Sequence, residues 1–178
     1  MISAVVTTLN NAASLTATLA ALAPAAMDGF VRQVIVADGG STDETLEVAE
    51  DAGADLVTTG FADAVAVARQ SWLLFLTPGS RPQVGWERAA HAHIRDYPGK
   101  AGWFDLALAA PGVGARLSEA MAGFESGMLG RPRADQGLLI SQRLLGEIGS
   151  GGSHAEIVRK LGRARLRSLK VRALIGEN

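Results

Sequence analysis

The sequence predicts a three-layer α/β fold, with a mostly parallel central sheet and helices on both faces. Three observations carry this expectation. Ile2–Thr8, Val34–Ala37 and Trp72–Leu76 are short apolar runs, suited to strands buried on both faces. Segments with helical spacing alternate with them, as in Leu15, Leu19 and Leu22, and a β-α-β-α-β-α-β order favours a parallel sheet. With 178 residues, 48% of them apolar, the chain can bury a substantial core as a single domain.

In order, Ile2–Thr8 is the first strand and Asn10-Asn11 a turn and helix cap. The first helix is expected to stop near Pro24. The second strand ends at Asp38, Gly39-Gly40 permits a sharp turn, and Ser41-Thr42-Asp43-Glu44 has the capping-box pattern of a helix running towards Asp51. Ala54–Thr59 reads as a third strand, Phe61–Gln70 as a brief helix and Trp72–Leu76 as a fourth strand. Thr77-Pro78-Gly79-Ser80 is a turn, after which Pro82 opens a helix to about Tyr97. Right-handed crossovers place the tips of the first, second and fourth strands on one rim, so Asn10, Asp38 and Thr77 should cluster. Beyond Tyr97 the reading is a strand at Ala101–Ala109, a helix at Ala115–Leu129, a strand at Leu138–Ile140 and a helix from Ser141 to Gly149. A last helix to Leu161 and a closing edge strand at Arg165–Ala173 complete it.

Composition excludes several classes of function. Without cysteine there is no disulfide framework, thiolate metal site or thiol nucleophile. Ser14, Thr16, Thr18 and Pro24 interrupt the apolar stretch Ala12–Ala26, so it reads as a globular helix and a cytoplasmic location is expected. Charge is segregated: Met1–Asp55 holds eight acids against Arg32 alone, and Arg159–Arg172 holds seven basic residues and no acid. The basic segment is either a solvated helix and strand, or a surface for anionic lipid headgroups (a peripheral membrane contact) or an acidic acceptor. It has no aromatics for base stacking, which argues against nucleic acid. Gly112-Val113-Gly114 lacks the third glycine of a dinucleotide fingerprint and comes late in the chain. His91 and His93 are two apart on a predicted helix and cannot share a metal; both are expected to be solvated.

The stretches Ala4–Asn10, Asp38-Gly39-Gly40-Ser41-Thr42-Asp43, Trp72–Leu76 and Ala134-Asp135-Gln136-Gly137 together resemble the family 2 glycosyltransferases of GT-A fold. The resemblance implies one GT-A-like domain over 1–178, with a nucleotide-binding half at 1–98 and an acceptor-side half at 99–178. It implies that Asp38 accepts a hydrogen bond from the nucleotide base, with Thr8 and Asn10 lining the same pocket. It suggests Arg69 as a cation near the diphosphate, and Asp135 and Gln136 on the acceptor side. A UDP- or GDP-sugar is the implied donor. The family's Asp-x-Asp, which holds Mn²⁺ or Mg²⁺, is replaced here: Thr77 and Gly79 occupy the usual ligand positions and supply no carboxylate. Arg81 is the residue able to substitute as a fixed cation. Where the family carries an acidic base before its last helix, this chain has His154, either a general base or a helix N-terminal residue exposed to solvent. Two functions follow from the resemblance: an inverting nucleotide-sugar-dependent transferase, or a catalytically degenerate domain that binds nucleotide or a partner.

Overall fold

The computed structural model describes residues 1–108, 136–149 and 154–175. The first half of the chain runs β1 (Ile2–Thr8), α1 (Ala12–Met27), β2 (Val31–Asp38), α2 (Thr45–Asp51), β3 (Asp55–Val57), α3 (Phe61–Ala66) and β4 (Trp72–Leu76). Then come β5 (Ser80–Pro82), α4 (Trp86–Asp96), β6 (Ala101–Leu108), β7 (Leu138–Ser141), α5 (Gln142–Ile148), α6 (His154–Leu161) and β8 (Leu166–Ile175). The helix expected at Ala115–Leu129, the Gly112–Gly114 turn and Asp135 lie outside the described residues.

The strands form one mixed sheet in the order β3-β2-β1-β4-β7-β6-β8-β5. Pairing is parallel from β3 through β4 and between β6 and β8, and antiparallel at β4–β7, β7–β6 and β8–β5. Alternate residues sort the core into two layers. Ala4, Val6, Val36, Leu74, Leu76 and Phe104 pack on the first face, towards α1, α2 and α4. Val5, Ile35, Phe75, Leu138 and Trp103 pack on the second, under α3, α5 and α6. At Gly137, φ is +70°, and an added Cβ would lie 3.0 Å from both Leu76 Cδ2 and Phe104 Cδ2. Gly137→Ala should therefore lower stability by about 1–3 kcal/mol in urea unfolding, through strain and overpacking together.

Four sequence expectations need correction. The first helix passes through Pro24 to Met27. Proline costs it one backbone donor near its end, and Gly29, at φ +73°, then terminates it, with Gly29 N–H donating to Ala26 O and Phe30 N–H to Ala25 O. Pro82 does not open a helix but ends the short strand β5; a proline fits there because β5 pairs on one side only. The strand at Leu166–Ile175 is not at the edge, because β6 and β5 flank it. His93 is buried rather than solvated: its Nε2 lies 2.9 Å from Lys100 O and its ring meets Trp72 edge-on. Burial depresses its pKa, the Lys100 carbonyl opposes that, and Arg167 adds to it.

Candidate functional site

The register places the predicted tips on one rim. Val6 pairs with both Val36 and Leu76, and Thr8 pairs with Asp38, so β1, β2 and β4 end side by side. Register partners in a sheet share a face, which puts the side chains of Thr8 and Asp38 together. Thr8 is 6% exposed and its Oγ1 has no hydrogen-bond partner.

Asp38 is 2% exposed and organises the turn after β2. Its Oδ2 accepts from Gly40 N–H (2.8 Å) and Ser41 N–H (2.7 Å), and its Oδ1 from the Ser41 hydroxyl (2.5 Å). Burial pushes this carboxyl up, and Asp43 adds to that, but the bonds from Ser41 and Gly40 outweigh both and hold it below its ordinary value. The Ser41 hydroxyl in turn accepts from Asn10 N–H at 2.8 Å. Asn10 sits at φ +50°, a conformation that asparagine tolerates, and its Oδ1 accepts from Thr42 N–H at 2.8 Å.

A second relay repeats the pattern. Asn11 N–H donates to Thr45 Oγ1 (3.0 Å), whose hydroxyl donates to Asp43 Oδ1 (2.5 Å). Asp43 also accepts from Thr45 N–H and, at 3.4 Å, from Ala12 N–H, so one carboxylate serves the starts of α1 and α2. The Thr45 hydroxyl and backbone hold this carboxyl below its ordinary value. Ser41 is accordingly not a helix cap: α2 begins at Thr45, and Ser41 clasps the β1 loop to the β2 loop. Sequence reasoning missed this second relay. The Asp43-x-Thr45 spacing hints at its local half, but Asn11 lies 34 residues away from Thr45.

Leu9 was also missed. At 52% exposed it stands at the rim, with its side chain 3.6 Å from where a Cβ on Gly39 would lie. A single exposed leucine is common on protein surfaces; what sets this one apart is its place next to Asn10 and against Gly39.

Arg69 requires correction. It precedes β4, so it lies at the opposite end of the parallel strands from Asp38, where its guanidinium meets Asp55 at 2.9 Å and its backbone N–H donates to Gln33. With Asp55 at the start of β3, this is an exposed ion pair of small energetic weight. Gln136 is buried and donates from Nε2 to Phe104 O at 3.2 Å, tying the start of β7 to β6.

His154 is not the exposed residue that one reading allowed: it is 8% exposed, its ring centroid lies 6.1 Å from that of Phe75, and its Nε2 is buried without a partner. Burial lowers its pKa to about 4, so the imidazole is neutral at pH 7. Phase along the strands puts it against the second face of β4, whereas Asp38 shares the first face with Val36.

The turn after β4 lacks the donors of a divalent-cation site. Thr77 Oγ1 lies 3.3 Å from Ser80 Oγ, and Gly79 N–H is shared between Ser14 O (3.0 Å) and Thr18 Oγ1 (2.9 Å). Neither Thr77, Pro78 nor Gly79 brings a carboxylate, and Asp38 and Asp43 are committed to their own loops. Among the described residues no group of three His, Asp or Glu side chains is placed to hold a metal. This donor set does not fit Mn²⁺ or Mg²⁺, which bind through charged oxygens.

This sheet order, with the loops after β1, β2 and β4 at one rim, defines a GT-A-type α/β domain, and the chain is glycosyltransferase-like. Residues 3–74 match the model of glycosyl transferase family 2, so the resemblance to that family holds. No curated protein matches the chain. Among solved structures it is similar to glucosyl-3-phosphoglycerate synthase from Mycobacterium tuberculosis in complex with Mn²⁺, UDP and glucosyl-3-phosphoglycerate. That match has 21% identity and a TM-score of 0.66, covering 99% of this chain and 70% of the other. The complex of the same enzyme with Mn²⁺ and UDP-glucose matches with 20% identity and a TM-score of 0.63, over 99% and 69%. Among the described residues no helix is long and apolar enough to cross a membrane.

Proposed function

We propose that this protein binds a nucleotide-sugar, a UDP- or GDP-sugar, at the rim formed by Thr8, Leu9, Asn10 and Asp38, and transfers the sugar to an acceptor. The observation that carries this reading is the paired clasp of Asn10 and Asp38 beside the β4 tip, a pre-ordered polar rim with one exposed apolar side chain. The UDP and UDP-glucose bound by the similar structures support the ligand class. Within this reading the base rests on Leu9 and meets the polar turn that Asp38 holds in shape, and Gln136 and Asp135 belong to the acceptor side. The exposed basic residues of α6 and β8 face an acidic acceptor or an anionic membrane surface.

His154 is the candidate general base. Neutral at pH 7, it is free to accept a proton, but a conjugate acid at about 4 makes it a weak base for a sugar hydroxyl. That weakness, together with the missing carboxylates after β4, favours a second reading: a domain that retains nucleotide binding and has lost transfer.

Calorimetric titration with UDP, UDP-glucose and a GDP-sugar tests the reading. UDP should bind; Leu9→Ala, at an exposed position, should weaken it about fivefold without moving the melting midpoint, and Arg69→Ala should leave the affinity unchanged within twofold. If no nucleotide binds, the reading fails. If nucleotide binds but no sugar is transferred to any acceptor offered, the second reading stands.

A further inference from the structure

The chain leaves β4 at Leu76 and enters β5 at Ser80, yet β5, paired with β8, lies four places from β4 in the sheet order. Laid flat, four strand spacings are about 19 Å. Four residues of chain reach at most about 14 Å. The sheet must therefore curl, so that the C-terminal end of β8 returns to the tip of β4.

Register then fixes what this end of β8 presents. Pro82 pairs with Ala173, both are buried, and Ala173 belongs to the first-face core. Arg81, opposite Leu174, and Arg172 accordingly take the second face, where His154 and Trp103 also lie. Gln83 N–H donates to Arg172 O, so β5 and β8 stay paired past Pro82 and the two arginines are diagonal neighbours. At such a position Cα atoms are about 7–8 Å apart, within reach of each other's long side chains, and like charges there repel.

Arg172 is exposed, so water screens part of that repulsion, while Arg81 is half-buried. Among the described residues neither arginine makes an ion pair. Asp105 lies opposite Arg172 on β6, but it accepts the Ser168 hydroxyl at 2.7 Å instead. Arg81 Nε is buried without any hydrogen-bond partner. A buried donor left unpaired is costly, and a guanidinium fork matches phosphate oxygens two at a time.

We propose that Arg81, with Arg172 beside it, binds a phosphate-type oxyanion without a divalent metal, next to the turn where the donor set rejects Mn²⁺ and Mg²⁺. The identity of the anion rests on the nucleotide-sugar reading: it is either the diphosphate of the donor or a phosphate on the acceptor. In the first case the guanidinium takes up the negative charge that develops on the departing nucleoside diphosphate, as the metal would elsewhere.

The test is calorimetry of pyrophosphate and of UDP, first in EDTA and then in Mn²⁺, on the wild type and on Arg81→Gln, Arg81→Lys and Arg172→Gln. Pyrophosphate should bind in EDTA and weaken at least tenfold in Arg81→Gln and severalfold in Arg172→Gln, with Arg81→Lys intermediate because it keeps the charge and loses the fork. UDP that displaces pyrophosphate identifies the donor diphosphate; UDP that binds alongside it identifies an acceptor phosphate. Pyrophosphate binding with these variant effects, but no UDP binding, upholds the anion site and overturns the nucleotide reading. Equal binding by wild type and Arg81→Gln overturns the proposal, as does a tenfold or greater gain in affinity on adding Mn²⁺. Melting midpoints of the ligand-free variants should equal or exceed the wild type's, since the substitutions remove a like-charge contact.

Discussion

Asp38→Ala is expected to destabilise the fold by about 3–4 kcal/mol in urea unfolding at pH 7. Its buried carboxylate accepts three hydrogen bonds from the partly exposed turn that follows it, and charge-assisted bonds of this kind contribute about 1.5–3 kcal/mol each, not additively. Alanine leaves Gly40 N–H, Ser41 N–H and the Ser41 hydroxyl without an acceptor. The Ser41 hydroxyl then loses its orientation towards Asn10, and the β1 loop separates from the β2 loop. Ser41→Ala, which keeps the carboxylate and its two backbone donors, should cost about 1–2 kcal/mol. Equal losses for the two variants would show that Ser41, not Asp38, closes the clasp.

Acidification should weaken the fold in two stages, and His154→Phe should remove most of the first. The folded-state pKa of His154 is about 4 against an ordinary 6.5, so between those values the unfolded chain binds the proton and the native state does not. Stability therefore falls as pH drops from 6.5 to 4, by about 3 kcal/mol over the whole window at 1.36 kcal/mol per pH unit. Between pH 7.5 and pH 5.0 the wild type should lose about 2 kcal/mol through this residue. The phenylalanine variant, whose ring packs against Phe75 without a titrating nitrogen, should not. His93, lowered in the same direction by burial, continues to titrate in the variant. The second stage lies below the ordinary carboxyl value of 3.8: Asp38 is depressed in the native state, so its contribution is present above that value and is lost as pH falls through its folded pKa. Denaturant titrations at pH 7.5 and 5.0 measure the first stage; an unchanged slope in His154→Phe would mean that the imidazole is protonated in the native state.

Local patterns accounted for the parallel half. The apolar runs, the glycine turn after Asp38 and the crossover lengths suffice for β1, β2 and β4 and for a shared rim, because each depends on residues close in sequence. The misreadings have one physical source. Pro82 resembles a helix opening until β8 supplies the partner that makes it an edge strand, and Leu166–Ile175 resembles an edge until β5 covers it. His93 reads as solvated from its place on a predicted helix, and His154 reads as either a base or an exposed helix start; only the packing of Trp72 and Phe75 shows both buried.

The sequence by itself determined the α/β architecture and the rim at the ends of β1, β2 and β4, since residue type and spacing are sufficient for these. Tertiary structure alone decided that Arg69 faces away from the rim, that Asn10, Ser41 and Asp38 form a single clasp, and that Arg81 stands beside Arg172. Each of these depends on which strand lies next to which, and hydrogen bonds and charge repulsion act over a few ångströms of space whatever the distance along the chain.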